Sequence, residues 1–228
     1  MEPSVIDFIN TSRDRDLEEL KQYLAIPSVS ALPEHAGDLR RCAEWTAEQM
    51  RAIGLENVRV ADTPGHPIVY GDWLHAEGAP TALVYGHYDV QPVDPVELWT
   101  SPPFEATVRD DELFARGATD DKGQLFAHLK AIEAHLKQAG RLPINLRIIL
   151  EGEEEIGSPN LNQFILDHKH ELACDVVLIS DSPMFEKGVP SICYGLRGLA
   201  YCQIDLRGTS TDLHSGSFGG AVANPAFV

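Results

Sequence analysis

Thr81-Ala-Leu-Val-Tyr-Gly-His-Tyr-Asp89 is an apolar run that stops at glycine and at once presents an imidazole and a carboxylate. Leu83, Val84 and Tyr85 suit a buried strand, so Gly86 marks its end and His87 and Asp89 stand at its rim. The same grammar recurs twice. Ile144-Asn-Leu-Arg-Ile-Ile-Leu150 runs into Glu151, Glu153, Glu154 and Glu155, and Val176-Val-Leu-Ile-Ser180 runs into Asp181. In open parallel α/β sheets ligands bind at the carboxyl ends of the strands, so these three endings point to one site fed by several strands.

Working outward, Leu17, Leu20 and Leu24 recur at helical spacing, which predicts a helix from about Ser12 to Ala25 that Ile26-Pro27 stops. A second amphipathic helix carries Leu39, Cys42, Trp45, Thr46, Met50 and Ile53 on one side and ends near Gly54. Strands follow at Asn57–Asp62 and Ile68–Leu74. Beyond the organising strand, the proline- and aromatic-rich Asp94–Phe104 reads as an ordered loop and Glu112–Arg116 as a short strand. Gly117 to Gly123 then turns into a helix reaching about Gln138, with Leu125, Leu129, Ile132 and Leu136 inward. Asp120 and Asp121 therefore stand at a helix N-terminus, where simple capping would account for either one.

Pro159–His170 suggests another helix and Cys174–Ser180 another strand. This alternation predicts an α/β fold, a doubly wound, mostly parallel sheet flanked by helices. From Ser191 the pattern changes: Ser191–Tyr194 and Leu199–Leu206 alternate as antiparallel strands would. A boundary near Gly195 thus divides residues 1–194 from residues 195–228, which run through the glycine-rich loop Asp212–Gly220 to a helix starting at Asn224.

Composition narrows the function. With 35 acidic residues against 18 basic, a net charge of −17 and no basic stripe, the chain is not suited to nucleic acid. No run approaches the apolar length of a membrane helix, and the N-terminus lacks a signal-peptide pattern, so a cytoplasmic home is expected. Cys42, Cys174, Cys193 and Cys202 lie in apolar surroundings without paired spacing and read as reduced core residues.

The groups expected to converge are His87, Asp89, Asp120, Asp121, Glu154, Glu155 and Asp181. Imidazole plus carboxylates without cysteine fits zinc, manganese or cobalt in a hydrolytic site better than a closed structural zinc site. Crowded carboxylates repel unless cations sit among them, and two metals sharing one carboxylate remove that difficulty. One carboxylate must then stay off the metals as the base. Taken singly, a His-x-Asp after a strand or a run of glutamates is ordinary solvated structure; their joint arrival at three strand ends and a helix start is what argues for a site. A serine nucleophile is disfavoured, because no Gly-x-Ser-x-Gly elbow occurs.

Five motifs in order carry a family resemblance: Gly86-His-Tyr-Asp-Val-Gln-Pro92, Ala115-Arg-Gly-Ala-Thr-Asp-Asp-Lys-Gly123, Glu151-Gly-Glu-Glu-Glu-Ile-Gly-Ser158, Ile179-Ser-Asp-Ser182 and Asp212-Leu-His-Ser-Gly-Ser-Phe-Gly-Gly220. Together they resemble the co-catalytic zinc peptidases of the aminoacylase and glutamate carboxypeptidase type, and most of all their carnosinase-like cytosolic dipeptidase branch. The resemblance implies two divalent ions, zinc foremost, with His87 and Asp181 on the first, Glu155 on the second and Asp120 bridging them. It implies Asp89 as the group orienting His87, Glu154 as general base, and a cis peptide at Asp120-Asp121. His214 would stabilise the oxyanion in the neighbouring subunit's site, making a homodimer part of the mechanism. The implied reaction is hydrolysis of dipeptides or short peptides, with an N-acyl amino acid deacylase as the alternative and a non-catalytic metal-binding domain as the rival from another class. Family members are longer and finish a lid and dimerisation domain that residues 195–228 only begin. The present chain is therefore expected to be an N-terminal portion, binding metal at the first position only, or weakly, and inactive alone.

Overall fold

The computed structural model describes residues 3–227. They form two compact units, Met1–Pro183 and Met184–Val228. The Gly195 boundary expected from the sequence falls inside the second.

The first unit is built from helices α1 (Pro3–Leu24), α2 (Ala36–Ala52), α3 (Lys122–Ala139) and α4 (Leu161–Asp167), and from strands β1 (Glu56–Ala61), β2 (Ile68–Trp73), β3 (Thr81–His87), β4 (Thr107–Arg109), β5 (Glu112–Phe114), β6 (Asn145–Glu151) and β7 (Val176–Ile179). The main sheet has the order β1-β2-β6-β3-β7, and β4 and β5 form a separate hairpin. At the tip of that hairpin Asp110 and Asp111 both take positive φ, 49° and 61°, as a two-residue turn matched to strand twist requires.

Both faces of the central strands β2, β6 and β3 are covered. Val69, Val84, Ile148 and Leu150 face a large core with Leu39, Cys42, Met50, Leu125 and Leu129 from α2 and α3. Ile68, Tyr70, Leu83 and Ile149 face a smaller one with Phe164 and Leu172. Adjacent strand residues thus point into opposite cores, which is why β3 and β6 read as unbroken apolar runs.

The sheet is mixed, which corrects the expectation of a mostly parallel one. β6 and β3, and β3 and β7, pair in parallel, but β1 with β2 and β2 with β6 are antiparallel. The connection between β1 and β2 is too short to cross over, so β2 turns back on β1, and β6 then inserts between β2 and β3. Within the parallel part the carboxyl ends of β3, β6 and β7 share one edge, and it is this edge that carries His87, Glu151 and, just past β7, Asp181.

Two further expectations change. α1 begins at Pro3, not near Ser12: proline suits a first helical turn, and Val5 is buried there while Ile6 and Ile9 stay exposed. In the second unit residues 190–209 carry no helix or strand, so the pair foreseen at 191–194 and 199–206 does not form. A strand needs a neighbour to complete its ladder; among the described residues the only bridges of this unit are Glu186 with Val189 and Gly219 with Val222. Among the described residues the unit's only α-helix is α5 (Ser215–Phe218), followed by a 3-10 turn at Pro225–Phe227. All four cysteines are free, and only Cys42 is buried; Cys193 and Cys202 are exposed and not core residues.

Candidate metal centre

His87 ends β3 with its side chain wholly buried. Its Nε2 lies 3.1 Å from Asp120 Oδ1 and 3.5 Å from Asp181 Oδ2. Donor atoms of the three residues all lie within 4.8 Å of one another. With metal–ligand bonds of about 2.0–2.2 Å, two ligands of one tetrahedral ion stand about 3.4 Å apart, so the observed spacings suit a single cation. The other ring nitrogen, Nδ1, is 3.0 Å from the Asp89 backbone oxygen and 3.4 Å from its carboxylate. Donation there leaves Nε2 as the metal-facing nitrogen.

Asp89 also contacts the turn that follows β6. Its Oδ1 accepts the Glu154 N–H at 3.2 Å and its Oδ2 the Glu155 N–H at 3.1 Å. One buried carboxylate therefore ties the end of β3 to the short 3-10 turn Glu154–Ile156 that follows β6. Glu154 is half-buried at this position. Burial raises its pKa, His87 opposes that rise, and Asp181, Asp89 and Asp120 add to it. A raised carboxylate pKa suits a proton acceptor that must later release the proton.

Asp120 and Asp121 precede α3 and are joined by a cis peptide. Neither behaves as a plain cap: Asp121 occupies the capping position without a side-chain capping hydrogen bond. Its Oδ2 instead accepts the His87 backbone N–H at 3.3 Å, while Oδ1 is buried with no partner among the described residues. Burial pushes the Asp121 pKa up to about 7, against the pull of His87 and with help from Asp181 and Asp120. Gly86 makes the approach feasible, since a Cβ there would stand 2.8 Å from Asp121 Oδ2. For His87 burial disfavours the imidazolium, yet Asp89, Asp121 and Asp181 outweigh it and lift the pKa to about 10. A buried imidazole beneath converging carboxylates, one with an orphaned oxygen, is a setting that a divalent cation fits.

Glu155, expected on a second metal, stands outside the trio; its Oε2 accepts from Gln91 Nε2 at 2.5 Å. Glu153 accepts from the His66 N–H at 3.0 Å and from Asn160 Nδ2 at 2.8 Å. His214 belongs to the second unit, where it precedes α5 and its Nδ1 accepts the Gly216 N–H at 3.1 Å. Sequence reasoning missed Glu151 as a supporting residue. It is buried, and its Oε1 accepts from Tyr85 at 2.6 Å and Ser158 at 2.8 Å. Its place at a strand end was legible, but its burial was not. A cavity of about 880 Å³ lined by Trp73, His75, His135 and Arg141 lies where β2 ends, at the opposite edge of the sheet, and none of these ligands lines it.

The fold is a mixed α/β sheet whose carboxyl edge brings one imidazole and two carboxylates together. Residues 83–224 match peptidase family M20/M25/M40, and the chain belongs to that family. It is 36% identical over 231 residues to the Cys-Gly metallodipeptidase dug1 of Schizosaccharomyces pombe, covering 96% of this chain and 48% of that protein. To the Beta-Ala-His dipeptidase of Homo sapiens it is 31% identical, covering 97% of this chain and 46% of that one. The crystal structure of human carnosine dipeptidase 1 superposes with a TM-score of 0.83 at 30% identity, over 98% of this chain and 50% of the other. The chain thus spans about half the length of the relatives it matches.

Proposed function

We propose that the protein hydrolyses the peptide bond of dipeptides or short peptides at a divalent metal centre. The observation that carries this reading is the meeting of His87, Asp120 and Asp181 within 4.8 Å, with Glu154 held beside them by Asp89. The dipeptidase names of the similar proteins support the substrate class.

His87, Asp120 and Asp181 would hold the first ion, and Asp120 with Glu155 a second, zinc being the metal that best fits an imidazole–carboxylate set. A divalent ion here supplies Lewis acidity, easing the deprotonation of water and polarising the scissile carbonyl. The protein's own groups do the rest. Glu154 accepts the proton of the attacking water and passes it to the leaving amine. Asp89 holds the His87 tautomer and, through the two backbone amides, the position of Glu154. His214 of a neighbouring subunit stabilises the developing oxyanion, so the working form is a homodimer, and residues 195–228 begin its lid. A cytoplasmic location belongs to the same proposal and is supported by four unpaired cysteines.

The test is Glu154→Gln in the full-length protein. Metal content should be retained while kcat falls on the order of 10²–10⁴-fold, the contribution of a positioned base. Equal loss of metal and activity would make Glu154 a ligand instead. Assaying Cys-Gly and β-Ala-His beside N-acetyl amino acids separates dipeptidase from deacylase; turnover of the acyl substrates alone would establish the second.

A further inference from the structure

We propose that His128 is a positioning residue for the metal centre: through Ser180 it holds Asp181 at the distance from Asp120 that one cation spans. The inference rests on the metal-centre reading above. Asp181 follows β7, which has little to hold it. That strand is four residues long, pairs only with β3, and leaves Val176, Val177, Leu178 and Ile179 between 45% and 59% exposed. A ligand just past so shallow an element is only as well placed as its next attachment.

That attachment is a hydrogen bond of 2.7 Å between Ser180 Oγ and His128 Nε2. The Ser182 N–H donates to the Ser180 oxygen at 2.8 Å, closing a three-residue turn with Asp181 at its centre. Fixing Ser180 therefore fixes the direction of the Asp181 side chain. Burial holds the His128 imidazole below its ordinary pKa, so the ring is a neutral hydrogen-bonding group here.

The origin of His128 gives the contact its meaning. It lies on α3, whose buried Leu125, Phe126 and Leu129 anchor the helix in the core. The same helix begins directly after Asp120 and Asp121. Two carboxylates from distant parts of the sequence, Asp120 and Asp181, are thus referred to one rigid rod. Both face His87 Nε2, at 3.1 and 3.5 Å, and both are negative, so they repel. A helix that carries one and clasps the other counters that repulsion and pre-sets the pocket.

Zinc titrated calorimetrically into metal-free full-length protein tests this. His128→Phe keeps the ring and its packing but removes the hydrogen bond, and Ser180→Ala removes the partner. Each should weaken the first zinc about tenfold, at the lower end of the effect of groups that orient metal ligands. The double variant should lose no more than either single one, because both break the same link. His128→Gln, whose amide reaches the position of Nε2, should restore near wild-type affinity; loss of packing alone would not be rescued in this way. Wild-type affinity in His128→Phe, or losses that multiply in the double variant, would overturn the clasp while leaving the metal reading intact. A wild-type protein that takes up no zinc would overturn the metal centre, and this inference with it.

Discussion

Asp89 concentrates three tasks in one carboxylate: it faces His87 Nδ1 and accepts the amides of Glu154 and Glu155. Asp89→Asn keeps the shape but replaces one acceptor oxygen with an amide NH2, so one backbone amide donor meets another donor. Metal affinity and kcat should both fall on the order of 10–100-fold, the range for second-sphere partners of a ligating histidine, measurable by zinc titration and steady-state kinetics. An unaltered affinity would show that His87 needs no such partner. Glu151 makes a different prediction. Burial raises its pKa above the ordinary 4.5, with only Tyr85 and Ser158 donating to it. A carboxylate with a raised folded-state pKa binds more protons folded than unfolded, so its contribution is complete below about 4.5 and is lost as pH rises through the folded value. Glu151→Gln should therefore gain stability relative to wild type as pH climbs from 5 to 8, read from urea midpoints of metal-free protein. A gap that stays constant or narrows would mean that the buried charge is compensated. His87, Asp120 and Asp181 were legible because each follows a strand or opens a helix. Glu151, Glu153 and Glu154 were harder to separate by residue type, because burial and partners give three neighbouring glutamates different roles.

At the scale of elements, α3 and the loop before it set the geometry of the centre. Gly123 lies in the first turn of α3, and a Cβ there would come within 2.1 Å of the Ala118 backbone oxygen. Backbone cannot swing aside as a side-chain tip can, so Gly123→Ala should cost about 1–3 kcal/mol and loosen the segment bearing Asp120. Chemical denaturation checks the first effect and hydrogen exchange at residues 117–123 the second; a variant as stable as wild type would show that the loop relaxes freely. The sequence revealed the strands and helices of the first unit well, since two-sided burial writes itself as continuous apolar runs and one-sided burial as helical spacing. Pairing was less accessible. Nothing local in Ile68–Trp73 says that its neighbour will be Asn145–Glu151, some seventy residues on and antiparallel, because that choice is made by packing and connection length. Residues 191–206 show the converse: alternation was present, yet alternation without a neighbouring ladder is not a strand.

For the molecule as a whole, two opposed features govern behaviour in solution. The net charge of −17 favours dispersal. Against it, among the described residues β7 ends the sheet with one edge unpaired and its four apolar residues, Val176 to Ile179, about half exposed on both faces. Such an edge offers free backbone donors and acceptors together with hydrophobic surface, the usual template for pairing with another chain. Ionic strength decides which feature prevails. At physiological salt the screening length is about 8 Å, so long-range repulsion is largely removed while hydrogen bonding and apolar burial at contact are untouched. The 228-residue chain should therefore self-associate more strongly at 0.15 M than at 0.01 M salt, and Val177→Lys should shift it toward monomer by placing a charge at the pairing edge. Sedimentation velocity at both salt concentrations measures this. Association that weakens as salt is added would make charge pairing its source, and association indifferent to Val177→Lys would remove β7 as its seat.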